Sequence, residues 1–325
     1  MELFPALPYA SWTPTKETIH RFTQIVGKVR LAFSQRRNHW WNVPYHLTGR
    51  GITTRPMGLT DSGEFFCVDF DFVDHSLKIA HSGGECVTFP LQGLSVGAFH
   101  RRLVGSLRGL GVPCDIARPY PYDLPDSGRP FAQDTEHATY DAAQAHTYWV
   151  VLSQVNLVLE QYAAQWSGKT SPVHHFWHTF DIAVTRFSDK RAELPASADE
   201  VTRESYSREV ISAGFWFGDP TFPEPAFYSY TAPEPKGLEE ERLSPPRASW
   251  VPLRGSHLAV LRYDDVRGGP APRETVLAFL ESAFRAGGRR AGWDLDAKAC
   301  PGGVTCESAP PASDSRRSRH ESGLD

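Results

Sequence analysis

The chain is poor in cysteine and methionine, carries no excess of basic charge and contains no long apolar run. Its five cysteines, Cys67, Cys86, Cys114, Cys300 and Cys306, include no C-x-x-C pair and are odd in number. That argues against a disulfide framework and against a zinc site of ordinary spacing. The 34 Lys and Arg stand against 38 Asp and Glu, a formal net charge of −4, so overall charge does not draw the chain to nucleic acid. No apolar stretch approaches the roughly 20 residues that span a bilayer, so no membrane partner is expected. The opening Met1-Glu2-Leu3-Phe4-Pro5 has neither the basic nor the apolar region of a secretory signal, and a cytoplasmic location is the expectation. Neither common nucleotide fingerprint, G-x-G-x-x-G or the P-loop, occurs, and no G-x-S-x-G nucleophile elbow is read. No internal repeat is visible.

Aromatic residues, by contrast, are plentiful. Nine Trp, eleven Tyr and nineteen Phe supply rigid rings suited to a firm interior or a pocket wall. Apolar residues at helical spacing, Ile19, Phe22, Val26, Val29 and Phe33, predict a first helix from about Pro14, with Thr13 as its cap. Extended chain is expected from Trp40 to Pro56. Strands are predicted over 64–73, 76–80 and 86–91, then an amphipathic helix over 96–110 behind a Ser95 cap, and a return to the sheet over 112–116. A Pro-rich crossing over 119–130 separates two halves. Asp141 and Gln144 form a capping-box pattern ahead of the longest helix, to about residue 166. One long strand is predicted from Val173 to Phe187, shorter ones over 210–217, 226–230 and 258–263, and a last helix over 275–285. Residues 232–256 read as a surface excursion. Strands in runs with helices between them indicate an α+β protein, a largely antiparallel sheet packed by two or three amphipathic helices. One globular domain over 1–297 is expected, its halves meeting near 119–130. The tail over 298–325, rich in Gly, Pro, Ser and charge, cannot bury enough surface to offset its ordering entropy and is expected to be disordered.

Several segments taken together carry a resemblance. They are Ile25–Leu31 (IVGKVRL), Asn38–Pro44 (NHWWNVP), Val68–His75 (VDFDFVDH), Asp134–His137 (DTEH), Ser171–His174 (SPVH), Phe180–Phe187 (FDIAVTRF) and Pro223–Tyr228 (PEPAFY). Over roughly residues 8–295 the chain resembles a bacterial family catalogued as a domain of unknown function. The resemblance implies one bacterial domain of conserved length and no particular activity, so function is argued from residue chemistry.

On the 64–73 strand, Phe66, Val68, Phe70 and Phe72 make an apolar face. Asp69 and Asp71 share the other, about 7 Å apart, where they can hold a cation or a basic substrate group or pair with Arg or Lys from a covering element. In His174-His175-Phe176-Trp177-His178-Thr179-Phe180-Asp181, a strand puts His174 and His178 on one face, roughly 13 Å apart and too far to share a metal. His175, Trp177, Thr179 and Asp181 fall on the other. Glu136 and His137 precede the longest helix, as capping groups or as acid–base groups or metal ligands. His39, Trp41 and Arg50 suit a planar or anionic ligand, although tandem tryptophans also serve packing.

The candidate catalytic residues are therefore His174, Glu136, His137 and Asp181. The candidate substrate-binding residues are His39, Trp41, Arg50, Asp69, Asp71 and Trp177. The cofactor is left open, a divalent metal being one alternative. These groups point to a polar, aromatic-walled pocket for a small molecule, in an enzyme using His and carboxylate acid–base or metal-assisted chemistry. A non-catalytic ligand-binding protein and a partner-binding assembly protein are the alternatives, and whether the chain is an enzyme stays open.

Overall fold

The computed structural model describes residues 2–59, 63–253 and 255–305. In chain order its main elements are helix α1 (Tyr9–Phe33), strands β1 (His46–Leu47), β2 (Gly51–Thr53), β3 (Met57–Gly58), β4 (Phe65–Asp71), β5 (Ser76–His81) and β6 (Cys86–Pro90), and helices α2 (Val96–Gly109) and α3 (Ala142–Ala163). Then come β7 (His174–His175), β8 (Asp181–Arg191), the short helix α4 (Glu200–Ser205), β9 (Arg208–Trp216), β10 (Ala226–Ala232), β11 (Ser249–Leu253), β12 (Ser256–Arg262), α5 (Tyr263–Arg267) and α6 (Pro272–Arg290). The class is α+β, with two antiparallel six-stranded sheets in place of the single one expected. One sheet runs β1-β2-β4-β5-β6 with β3 also on β4, and the other runs β11-β12-β10-β9-β8-β7.

Among the described residues, one isolated backbone bridge joins the two sheets. The amides of Tyr45 and His175 each donate to the other's carbonyl, at 2.8 and 2.9 Å. Directly paired residues of antiparallel strands share a face, so the registers define two faces across this seam. On one, Phe89, Leu77, Phe70 and Ile52 of the first sheet are buried, as are His175, Ile182, Phe215, Phe227 and Leu261 of the second. The long helices cover this face: Phe22 of α1 stacks on Phe99 of α2, Phe99 stacks near Phe70, and Tyr148 of α3 bonds His175. On the other face, Asp69 lies opposite Thr53 and Thr53 opposite His46. His174 lies opposite Ala183, Ala183 opposite Gly214 and Gly214 opposite Tyr228.

The helix signals read from the sequence operate as expected at two starts. Ser95 Oγ accepts from the Ala98 amide at 3.2 Å, and Asp141 Oδ1 from the Gln144 amide at 2.9 Å. α1 departs from expectation, beginning at Tyr9 with Pro14 inside it. Thr13 is no cap; its hydroxyl donates to the Tyr9 carbonyl within the helix. Pro14 and Ala10 are both exposed, so the carbonyl that the missing proline N–H would have served is left on the solvent side. α1 is buried on nearly every side from Thr15 to Arg30, its polar Lys16, His20, Arg21 and Gln24 included.

Three further differences have local causes. Residues 112–116 form no strand. The strand expected over 173–187 is broken into β7 and β8 by a turn in which Phe180 takes φ 60° and its amide bonds the Phe176 carbonyl at 2.9 Å. The aromatic rings of that segment cluster in the turn instead of alternating between sheet faces. Part of the surface excursion forms β11, which pairs with β12 as an edge strand and so tolerates Pro252. At the C-terminal end, Lys298–Cys300 pack onto the end of α3: the Ser167 amide bonds the Lys298 carbonyl, and buried Cys300 donates its amide to Gln165. The rest of the expected tail, from Cys306, lies outside the described residues.

Helix–turn packing is tight at Gly27, where a Cβ would lie 2.3 Å from Cγ of buried Trp177. Gly27→Ala therefore displaces the indole and costs about 1–3 kcal/mol, read as a lowered denaturant midpoint with unchanged slope.

Candidate functional site

The contacts divide the ten candidate residues among several neighbourhoods. Arg50 and Asp71 form an exposed ion pair at 2.6 Å, with Asp74 also 2.6 Å from Arg50. Burial acts to raise the Asp71 pKa, but the Arg50 hydrogen bond and the Val73 and Asp74 amides together hold it below the usual carboxylate range. Asp69, on the same face, lies opposite Lys78 and Thr53.

Glu136 and His137 belong to an ion-pair network around α1. His137 Nδ1 is 2.8 Å from Asp134 Oδ2, and Arg129 is 2.9 Å from Glu136. Buried Arg21 donates to both oxygens of Asp126, at 2.6 and 3.1 Å, and to Glu17 at 2.6 Å. Ligand atoms of Asp126, Asp134 and His137 lie within 4.8 Å of one another, which is the spacing of a metal site. The donor set does not fit a cation, because Arg21 and Arg129 already neutralise those oxygens. Glu234, Glu239 and His257 form a second such trio, in which Glu234 is held by the His257 ring at 2.8 Å.

Contrary to the expectation that no nucleophile elbow occurs, Gly93-Leu94-Ser95-Val96-Gly97, at the start of α2, has the G-x-S-x-G spacing. Its geometry is that of a helix cap. Ser95 has an unstrained φ of −73° and its Oγ accepts from Ala98. The Val96 amide, which would serve an oxyanion, donates instead to the His137 carbonyl at 2.9 Å.

Trp177 packs against α1 with Lys28 over its ring at 5.7 Å. Asp181 accepts from the hydroxyls of Tyr228 and Thr179. Tyr228 lies over the small floor of Ala183 and Gly214, where a Cβ on Gly214 would meet its hydroxyl at 2.6 Å. His175 is fully satisfied, donating Nδ1–H to the Asp181 carbonyl at 2.9 Å and accepting at Nε2 from Tyr148 at 2.8 Å, so it is a packing residue. His39 and Trp41 sit at Phe187 with Lys169.

His174 stands apart from these. It is 1% exposed and its Nδ1 has no hydrogen-bond partner among the described residues. Its ring is 6.3 Å from that of His46, also buried. Burial, then the charges of His46, Arg30 and Arg55, push the His174 pKa well down. Burial, then Arg55, Arg30 and Arg37, bring that of His46 to about 3. Both imidazoles are therefore neutral near pH 7. Three arginines are buried among the described residues, Arg21, Arg30 and Arg186. Arg21 meets Glu17 and Asp126, while Arg186 meets Glu281 at 3.7 Å and stacks on Tyr162. Arg30 is 5% exposed, has an unpartnered Nε and meets no carboxylate among the described residues. Burial brings its pKa to about 10, so it stays charged. The C-terminal end of α1 offsets part of that charge, but Arg37 and Arg55 nearby also have no acidic partner among the described residues.

Arg30, His46 and Arg55 were not among the residues chosen from the sequence. Their signal was local: residues 18–60 contain six Arg and one Lys but no Asp or Glu, a bias that the nearly balanced whole-chain charge conceals.

The fold and this geometry define an α+β protein with two antiparallel sheets meeting at a histidine- and arginine-lined seam. No helix among the described residues is long and apolar enough to cross a membrane. The chain belongs to the family of unknown function DUF5996, whose signature matches residues 4–300, slightly more than the resemblance covered. Neither the curated proteins nor the solved structures yield a match.

Proposed function

We propose that the protein binds a small anionic molecule, a carboxylate or phosphate compound, at the seam between its sheets. The observation that carries this reading is Arg30, a buried guanidinium with no carboxylate partner among the described residues, grouped with His174, His46 and Arg55. A buried charge without a counter-ion costs several kcal/mol, and an anion would remove that cost. Arg30, His46 and His174 are each at most 7% exposed, which suits a small molecule over a polymer. Arg37 and Arg55 are exposed and add positive charge beside His46. Acid–base catalysis at the same site is the second reading, favoured by the neutral imidazoles: an anion held by guanidiniums would bring its own protons to two proton acceptors.

Sulfate is a suitable first probe, because its charge does not change near neutral pH. Titration calorimetry should show saturable binding at one site per chain that Arg30→Met removes. Binding should tighten as the pH falls from about 7.5 to 5.5. Both imidazoles are neutral in the free protein and face Arg30, Arg37, Arg55 and His175. A bound anion raises their pKa values, so binding takes up protons and is favoured by acid. Affinity independent of pH would remove His46 and His174 from the site.

A further inference from the structure

Lys169 is the second cation of this chain with unusual company. Its Nζ lies 2.7 Å from His39 Nε2. His39 Nδ1 faces two carbonyls, those of Glu204 at 3.0 Å and Ser205 at 3.3 Å. Carbonyls only accept, so Nδ1 carries the proton, Nε2 presents a lone pair, and Lys169 is the donor. Two aromatic faces flank the amine, Trp41 at 5.3 Å and Phe187 at 5.0 Å. No carboxylate among the described residues is within ion-pair distance of it. Glu204, whose charge acts on Lys169, is engaged by the His39 amide at 2.7 Å and faces Arg36. Lys16, Lys190 and Lys298, by contrast, pair with Glu17, Glu209 and Asp189. His39 and Trp40 both hold left-handed backbone, φ 54° and 59°, a conformation that non-glycine residues keep only where their surroundings impose it. Burial, with Arg208 nearby, lowers the Lys169 pKa, yet the residue remains half-buried and reachable.

We propose that Lys169 is a nucleophilic amine that condenses with a small uncharged aldehyde or ketone, with His39 as its proton acceptor. The ammonium gives one proton to His39 Nε2. The freed lone pair forms a C–N bond as the carbonyl pair moves onto oxygen. The remaining two amine hydrogens leave with that oxygen as water, the C–O bond breaks and a C=N bond forms. Nothing is oxidised or reduced, and His39 returns its proton to solvent. The aromatic walls favour an apolar carbonyl compound. This proposal does not depend on the anion site. Phe187 shares a sheet face with Ala183, the partner of His174, but four residues along the strand place it roughly 13 Å away.

The test uses the full chain with propanal and cyanoborohydride near pH 7, with peptide mass mapping of each lysine. Lys169 should be alkylated at least tenfold faster than the exposed Lys78 and Lys236, and His39→Gln should bring it down to their rate. Labelling no faster than at Lys78, or unaffected by His39→Gln, overturns the proposal. Should His39→Gln unfold, the wild-type pH profile decides. Half-maximal labelling of Lys169 at lower pH than for Lys78 supports the proposal, and coincident profiles refute it.

Discussion

Arg30→Met should raise the melting temperature of the ligand-free protein while removing its response to anions. Most buried-charge substitutions destabilise, because they strand a partner. Arg30 has no acidic partner among the described residues to strand. The substitution keeps much of the apolar stem and removes the charge whose pKa burial brings to about 10. That depression corresponds to a folded-state cost of up to about 3 kcal/mol, so a gain of about 1–3 kcal/mol is expected, a rise of a few degrees. Wild-type protein, by contrast, should gain about 2.7 kcal/mol at an anion concentration of 100 Kd, and Arg30→Met should gain nothing. A variant less stable than wild type in ligand-free buffer would show that the guanidinium is satisfied in solution, and the anion site would lose its basis.

Asp134→Ala is expected to destabilise the fold by about 3–5 kcal/mol. Asp134 is 1% exposed and its carboxylate takes the Glu136 and His137 amides at 3.1 Å and the His137 ring at 2.8 Å. Its loss leaves buried Arg21 dependent on Asp126 and Glu17 alone. Asp134→Asn should cost less, since an amide oxygen can still accept from one backbone amide. Chemical denaturation of Asp134→Ala, Arg21→Met and the double variant gives the coupling directly. Additive losses would show that the two side chains do not act as a unit.

The elements with strong local signals could be read in advance. Ser95 and Asp141 announced two helix starts, and the apolar alternation of Phe66, Val68 and Phe70 announced the central strand of the first sheet. The break at Phe180 could not be read, because His175, Trp177 and Thr179 alternate as a strand would; what closes the turn is the His175 ring on the Asp181 carbonyl, held in place from α3 by Tyr148. Pairing between distant strands is likewise invisible to local pattern, so two sheets were read as one. For the site, His174 was singled out because histidines are dense around it, and its unpartnered Nδ1 gives that choice a physical reason. His175, its neighbour, turned out to be saturated by Tyr148 and a carbonyl. Arg30 lies on α1 one turn after Val26 of the apolar stripe, where an arginine reads as a side chain reaching out to solvent. Its burial depends on how other elements close over the helix end.

The reciprocal bonds between Tyr45 and His175 join residues far apart along the chain. Closing so long a loop carries an entropic penalty that local hairpins such as β4–β5 avoid. Synthesis proceeds from the N-terminus, so Arg30, His46 and Arg55 leave the ribosome well before His174 does. Until β7 arrives, His46 lacks the His174 ring beside it. On the proposed reading, the anion site is complete only once β7 has docked. Ions in the surrounding solution should act chiefly on that event, slowing its reversal and leaving the formation of either separate sheet unchanged.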